Sequence, residues 1–268
     1  MRQAGSADNR VGQEELHTRD YLSYNDPYAV GVTFADTLRP DGLLCLGDRD
    51  PGWVVDYALI GMEQAVTTRL LLVRHGQTHT SLDDAFCGVT EVSLTSIGRS
   101  QAQCLAERLR REHVDALYCS PQQRAQETAV PIGLALELEI QTRDVLREMD
   151  FGEWENRLRA DLAREYPLEL EEWERGSWMA HPPGGETQQA VVARVVPCII
   201  EILTLHADQT VLVVSHKSVL RLLIGHLLNM APPDSRHLRL DPASLSELRV
   251  TGDHVDLIRC NDTSHLSL

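Results

Sequence analysis

Two histidines in this chain each stand at the end of an apolar run. Leu70-Leu71-Leu72-Val73 leads into Arg74-His75-Gly76-Gln77-Thr78, and Val211-Leu212-Val213-Val214 leads into Ser215-His216. Leucine and β-branched runs bounded in this way predict buried strands. Open α/β sheets place ligands at the carboxyl edge of such strands, so an arginine and a histidine located there face a ligand. Arginine brings a permanent planar cation that matches phosphate oxygens; histidine brings a nitrogen able to act as nucleophile or base near neutral pH. A third segment, Cys119-Ser120-Pro121-Gln122-Gln123-Arg124-Ala125-Gln126-Glu127-Thr128, follows the short apolar run Ala116 to Tyr118. It predicts a helix opening at Pro121, a favoured first-turn residue, with Arg124 on the first turn and facing the same sheet edge. A fourth, Leu146-Arg147-Glu148-Met149-Asp150-Phe151-Gly152-Glu153-Trp154-Glu155, is a carboxylate-rich loop able to supply a general acid or base. A lone histidine after a strand is more often a hydrogen-bonded structural residue. Two strand-end histidines with two arginines favour chemistry on an anion.

In this order the segments resemble the signatures of the histidine phosphatase superfamily, the phosphoglycerate mutase-like or RHG family, over roughly Arg69 to Cys260. Leu94-Thr95-Ser96-Ile97-Gly98-Arg99-Ser100-Gln101-Ala102 is similar to the start of the family's first helix, and Pro183-Gly184-Gly185-Glu186-Thr187 to its Gly-Gly-Glu-Ser segment. The resemblance implies that His75 attacks phosphorus in line and becomes a phosphohistidine, while Arg74, Arg124 and His216 hold the equatorial oxygens. It also implies that Glu148 protonates the departing alkoxide and then takes a proton from water. Only the family's Leu-x-Glu-x-x-x-Gly pattern singles out Glu148 from Asp150, Glu153 and Glu155. A nucleophilic histidine must be neutral, and two neighbouring guanidinium groups disfavour its cationic form.

Thr78 and Ser81 join Arg74 and Arg124 as expected phosphate-binding residues; Gln77, Glu186 and Lys217 are candidates for contact with the rest of the substrate. Where many family members have Trp-Asn, this chain has Thr80-Ser81, and a serine can give one hydrogen bond in place of an asparagine amide. Glu186 has a second reading as a carboxylate near a helix N-terminus. Lys217, the only lysine in the chain, replaces a small residue after the second histidine. It either faces solvent or reaches a second anionic group of the substrate. The implied activity is hydrolysis of a small phosphorylated metabolite without a cofactor or metal. Phe86-Cys87-Gly88-Val89-Thr90 and the short segment after Leu146 resemble the phosphatase branch more than the longer mutases. A phosphoglycerate mutase using the same residues is the alternative, and a catalytically silent phospholigand-binding protein is a third reading.

Competing motifs fail. The cysteine phosphatase loop needs one more residue between its cysteine and arginine than separates Cys119 from Arg124. Leu43 to Asp50 mimics the Asp-x-Asp of haloacid dehalogenase-type phosphatases, but Gly47 and Pro51-Gly52 favour a surface turn. His75 and His79 have the spacing of a helical metal pair, yet Gly76 argues against a helix and no glutamate lies between them.

The net charge of −15 opposes binding to nucleic acid, whose phosphates are held by cationic surfaces, and makes a local arginine cluster necessary wherever an anion is bound. No basic-then-apolar leader opens the chain, and no apolar run approaches the ~20 residues that span a bilayer. The six cysteines lack CxxC pairs, and Cys45, Cys104, Cys119 and Cys198 sit in apolar surroundings, which suits reduced thiols in the cytoplasm. The expected partners are a small phosphorylated substrate and, beyond it, a second copy of the chain as a homodimer.

Residues 1–68 read as an N-terminal extension, partly disordered or packed as an arm, with Tyr21, Tyr24 and Tyr28 clustered and Leu43 to Leu46 and Trp53 to Ile60 as short elements. Met62 would also serve as a start codon. Residues 69–268 read as the histidine phosphatase domain. Strands are expected at Arg69–Arg74, Ala116–Cys119 and Thr210–Ser215, with a closing hairpin of Ser244–Val250 and His254–Cys260. Helices are expected at Thr95–Glu112, Gln122–Leu134, Arg159–Tyr166, Glu169–Arg175, Thr187–Leu205 and Lys217–Leu228. Such alternation predicts an α/β fold, a three-layer α/β/α sandwich on a mostly parallel sheet, with the region after Leu146 forming a lid over the site.

Overall fold

The computed structural model describes residues 66–266. The tyrosine cluster, the elements near Leu43 and Trp53, the Asp48 turn, Cys45 and Met62 lie outside the described residues. The chain runs β1 (Thr67–Arg74), α1 (His79–Leu82), α2 (Ser96–Leu109), β2 (Ala116–Cys119), α3 (Gln123–Leu136), β3 (Ile140–Thr142), α4 (Arg159–Glu165), α5 (Pro167–Arg175), α6 (Gln188–Leu205), β4 (Thr210–Ser215), α7 (Lys217–Leu227), α8 (Pro232–Ser235), β5 (Leu245–Thr251) and β6 (His254–Asp262).

The strands form one sheet in the order β3-β2-β4-β1-β5-β6. β3, β2, β4 and β1 are parallel; β5 and β6 close one edge antiparallel. β1 lies between β4 and β5, with Arg74 opposite Ser215, which explains its unbroken apolar run: a central parallel strand is covered on both faces. Leu70 and Leu72 join Tyr118, Val211 and Val213 in a core with α6 and α7, whereas Leu71 and Val73 join Leu117, Leu212 and Val214 against α2 and α3. The predicted three layers follow from that alternation.

The segment after Leu146 is anchored by aromatics. Trp154 is fully buried, with its ring centroid 5.3 Å from Phe86 and 6.2 Å from Trp173 of α5. The β5–β6 turn places Gly252 at φ +60°, a backbone conformation that glycine enters without steric cost.

Three expectations are revised. α3 opens at Gln123 and not at Pro121, because the Gln122 backbone is extended (φ −66°, ψ 141°) and so stands just before the first helical residue, while its side chain reaches Gly88 O and Glu148 N. β3, an edge strand of three residues, was not expected. α6, at 18 residues and a mean hydropathy of 1.5, is long and apolar enough to cross a membrane by length and composition alone. Here its Val191, Val195, Ile199 and Ile202 are buried in the core beside the sheet.

Candidate active site

The carboxyl ends of β1, β2 and β4 converge, and the expected residues emerge from them. His75 follows β1 and donates its backbone N–H to Ser215 O (3.0 Å) at the end of β4. Gly76 comes next because the chain turns against α2 there: a Cβ on Gly76 would lie 2.6 Å from Gly98 O, and one on Gly98 would lie 2.2 Å from Gln77 O. Gly76 N also donates to Thr128 Oγ1 of α3 (3.0 Å).

The His75 ring is buried, with Nδ1 2.8 Å from the Gly76 carbonyl oxygen. A carbonyl only accepts, so Nδ1 carries the ring proton and Nε2 keeps its lone pair. Burial, reinforced by Arg124 and Arg74, holds the His75 pKa well below 6.5, and the ring is neutral at physiological pH. Arg74 beside it donates to Leu240 O (2.6 Å), while its buried Nε–H has no partner among the described residues. Burial pushes the Arg74 pKa down to about 10, with Arg221 and Arg124 contributing and Glu148 opposing.

Arg124, on the first turn of α3, is buried and held on several sides. It donates to Gly88 O (2.7 Å), Thr90 O (2.9 Å) and His216 Nδ1 (3.2 Å). The Phe86–Thr90 segment therefore provides the carbonyls that aim this guanidinium. Because arginine only donates, His216 Nδ1 is unprotonated, and its Nε2–H donates to Ser120 Oγ (2.8 Å). Burial and the Arg124 charge keep His216 well below 6.5 as well. The two imidazoles lie 5.2 Å apart between centroids.

Of the four carboxylates in the loop after Leu146, Glu148 alone lines the cleft. It is buried at the N-terminus of α7, where Oε2 accepts from Ser218 N (3.1 Å) and Oε1 from Val219 N (3.3 Å) and Met149 N (2.8 Å). Asp150 caps Gly152 N, and Glu153 accepts from the Tyr166 hydroxyl. Glu155 accepts from the backbone N–H groups of Gly88, Val89 and Thr90, fixing the segment that holds Arg124.

Thr78, Ser81 and Lys217 also line the cleft. Ser81 does not offer a spare donor in this arrangement: its hydroxyl donates to Thr78 O (2.8 Å) and accepts from Thr78 N (3.0 Å), closing the turn of α1. Gln77 and Glu186 are not brought to the cleft wall. Gln77 Oε1 accepts from Thr95 Oγ1 (2.9 Å) at the start of α2. Glu186 accepts from Asp150 N and pairs with Arg194 Nε (2.9 Å). Arg194 in turn donates to Arg147 O (3.0 Å) and Glu148 O (3.2 Å), so the pair clamps the acid loop.

Sequence reasoning missed several supporting residues. Gln122 accepts from Glu148 N (2.7 Å) and donates to Gly88 O (2.7 Å), joining the acid to the arginine. Arg159, Arg221 and Arg236 line the outer cleft. Arg194 has no local signal, since its partners lie far away in sequence; Gln122 sits inside the quoted arginine segment.

A family model described as histidine phosphatase superfamily (branch 1) matches residues 70–263. Phosphoserine phosphatase 1 of Hydrogenobacter thermophilus is 31% identical over 198 residues, covering 74% of this chain and 94% of the relative. The adenosylcobalamin/alpha-ribazole phosphatase of Escherichia coli is 36% identical over 182 residues, covering 68% and 90%. Among solved structures, the native mycobacterial glucosyl-3-phosphoglycerate phosphatase superposes with a TM-score of 0.68 at 26% identity, covering 73% of this chain and 99% of its own. With a match that runs from within β1 to just past β6, and with named phosphatases of this identity among its relatives, the chain belongs to the histidine phosphatase superfamily, branch 1, and is a phosphatase.

Proposed function

We propose that the phosphatase acts on a small phosphorylated metabolite by moving its phosphoryl group to His75 Nε2 and then to water. The first step forms an N–P bond as the ester P–O bond breaks; the second forms an O–P bond to water, frees His75 and releases inorganic phosphate. Arg74 and Arg124 offset the charge on the equatorial oxygens, with Thr78 beside them. Glu148 gives a proton to the leaving oxygen and recovers one from the water. His216 keeps the Arg124 guanidinium aimed and stands next to the phosphorylated ring.

The observation that carries this reading is the Nδ1–H bond of His75 to Gly76 O, which leaves Nε2 as a neutral nucleophile on a cleft lined by arginines. The acidic net charge supports a freely diffusing cytoplasmic enzyme rather than one held by nucleic acid or an anionic membrane surface. The test is a screen of phosphorylated metabolites for phosphate release, run beside an assay for conversion of 3- to 2-phosphoglycerate. Phosphate release, with an acid-labile protein-bound label that His75→Ala abolishes, is the expected outcome. Activity of His75→Ala within about tenfold of wild type overturns the nucleophile, and isomerisation without release turns the reading to the mutase.

A further inference from the structure

The cleft carries more positive charge than one phosphoryl group requires. Beyond Arg74 and Arg124, its walls include Arg159, Lys217, Arg221 and Arg236. Arg159, at the start of α4, is already neutralised: its Nε meets Asp84 (3.2 Å), and its Nη1 pairs with Glu174. The other three make no salt bridge among the described residues, in a chain whose net charge is −15 and whose other described arginines are largely paired with carboxylates.

Two of the three are aimed by neutral groups, and the third is unpartnered among the described residues. Arg221, one turn after Lys217 on α7 and therefore on the same face, donates Nε to Leu238 O (2.6 Å). Arg236, just after α8, donates to Trp173 O and lies over the Trp173 ring at 5.4 Å. The ammonium group of Lys217 has no hydrogen-bond or ion-pair partner among the described residues. Lys217 directly follows His216, so this group of cations flanks the reacting centre.

We propose that Lys217, Arg221 and Arg236 form a second anion subsite, which selects phosphate monoesters carrying a further anionic group, a carboxylate or another phosphate, near the ester. This rests on the phosphatase reading above and narrows its substrate class. Burial, with a smaller share from neighbouring cations, supports it. Burial, with Arg221 and Arg74 adding and Asp84 and Glu148 opposing, brings the Lys217 pKa down to about 8; burial also lowers Arg221 against the pull of Glu148, and lowers Arg236 with Arg221 adding and Glu174 opposing. A bound anion offsets that cost. Phe86, Phe151 and Trp173 on the same cleft exclude water and strengthen the attraction.

A matched pair of probes isolates the extra charge: 3-phosphoglycerate and glycerol 3-phosphate share a carbon skeleton and differ by a carboxylate in place of a hydroxymethyl. Wild-type kcat/KM should favour 3-phosphoglycerate by about tenfold or more, the size of one charge-assisted contact. Lys217→Met or Arg221→Met should erase most of that ratio through KM, and Lys217→Arg should retain it. Calorimetry on His75→Ala, which needs no turnover, should show the same preference in Kd and its loss in His75→Ala/Lys217→Met. Equal Kd values for the two esters, or a ratio unmoved by both methionine variants, overturn the subsite. If His75→Ala prefers 3-phosphoglycerate while wild type releases phosphate from neither ester, the subsite stands and hydrolysis through His75 falls for this class of ester.

Discussion

Glu148→Gln keeps the side-chain shape and removes the charge and the transferable proton. In the structure Oε1 accepts from Met149 N (2.8 Å) and Val219 N (3.3 Å), and Oε2 from Ser218 N (3.1 Å). A glutamine keeps one accepting oxygen, so its amide nitrogen must face at least one of these N–H groups. The less costly orientation leaves the Met149 and Val219 bonds in place and gives up the Ser218 bond. One partly buried N–H without an acceptor costs about 1–3 kcal/mol. At about 2–4 °C per kcal/mol for a domain of this size, the thermal midpoint should fall by roughly 2–12 °C, with the fold retained. Catalysis should fall much further and selectively. Loss of a general acid removes about 10²–10⁴-fold from an ester with a basic alkoxide leaving group, and far less from an aryl phosphate whose leaving group departs unprotonated. The assay is phosphate release from glycerol 3-phosphate and from p-nitrophenyl phosphate, with calorimetric melting on the same samples. Equal loss on both esters, or the selective loss appearing in Asp150→Asn or Glu153→Gln instead, refutes the assignment.

His75 and His216 are both held neutral below their ordinary value of 6.5, so the unfolded chain takes up protons that the native one refuses. Their stabilisation is complete above about pH 6.5 and is lost as the pH falls toward their folded values, by up to about 1.4 kcal/mol per pH unit for each. Half-buried His226 and His265 shift in the same direction. Urea melts from pH 8 to 5 should show this decline, and His216→Gln should reduce its slope; a flat profile contradicts it. Activity should survive EDTA, because Arg74 and Arg124 line the cleft as the proposed partners of the transferred group; a magnesium-reversible loss would show that a metal shares their task. Removing residues 1–65, just before β1 begins at Thr67, should leave turnover intact, as the proposed catalytic residues lie beyond it. A folded truncate without turnover would show that the extension completes the site.

The strand-end residues were legible because central parallel strands need apolar side chains on both faces, so Arg74 and His75 break a pattern that Leu70 to Val73 establish. Arg124 was legible through a helix start following a short strand, although the boundary shifted by two residues. Glu148 was legible only through resemblance: its loop holds other carboxylates, and what separates them is the N-terminus of α7, far away in sequence, which receives one of them. The same limit hid Gln122, Arg194 and the cations of the outer cleft, each defined by partners from distant segments. Gln77, Ser81 and Glu186 show the converse. Residue type and motif position pointed toward the substrate, while local hydrogen bonds from Thr95, Thr78 and Arg194 had already engaged them.

The position of β1 also has a consequence in time. The strand that delivers the proposed nucleophile is the earliest in the described chain, yet its neighbours are β4 and β5, with Thr67 paired to Thr251 and Arg74 to Ser215. While a ribosome is still extending the polypeptide, His75 has neither the carbonyl of Ser215 to hold its backbone nor β5 to cover its flank. Such long sequence separations slow folding, since loop closure must precede the contacts that reward it. No nascent fragment ending before α7 contains the assembled site, so phosphate hydrolysis begins only once nearly the whole domain has been synthesised.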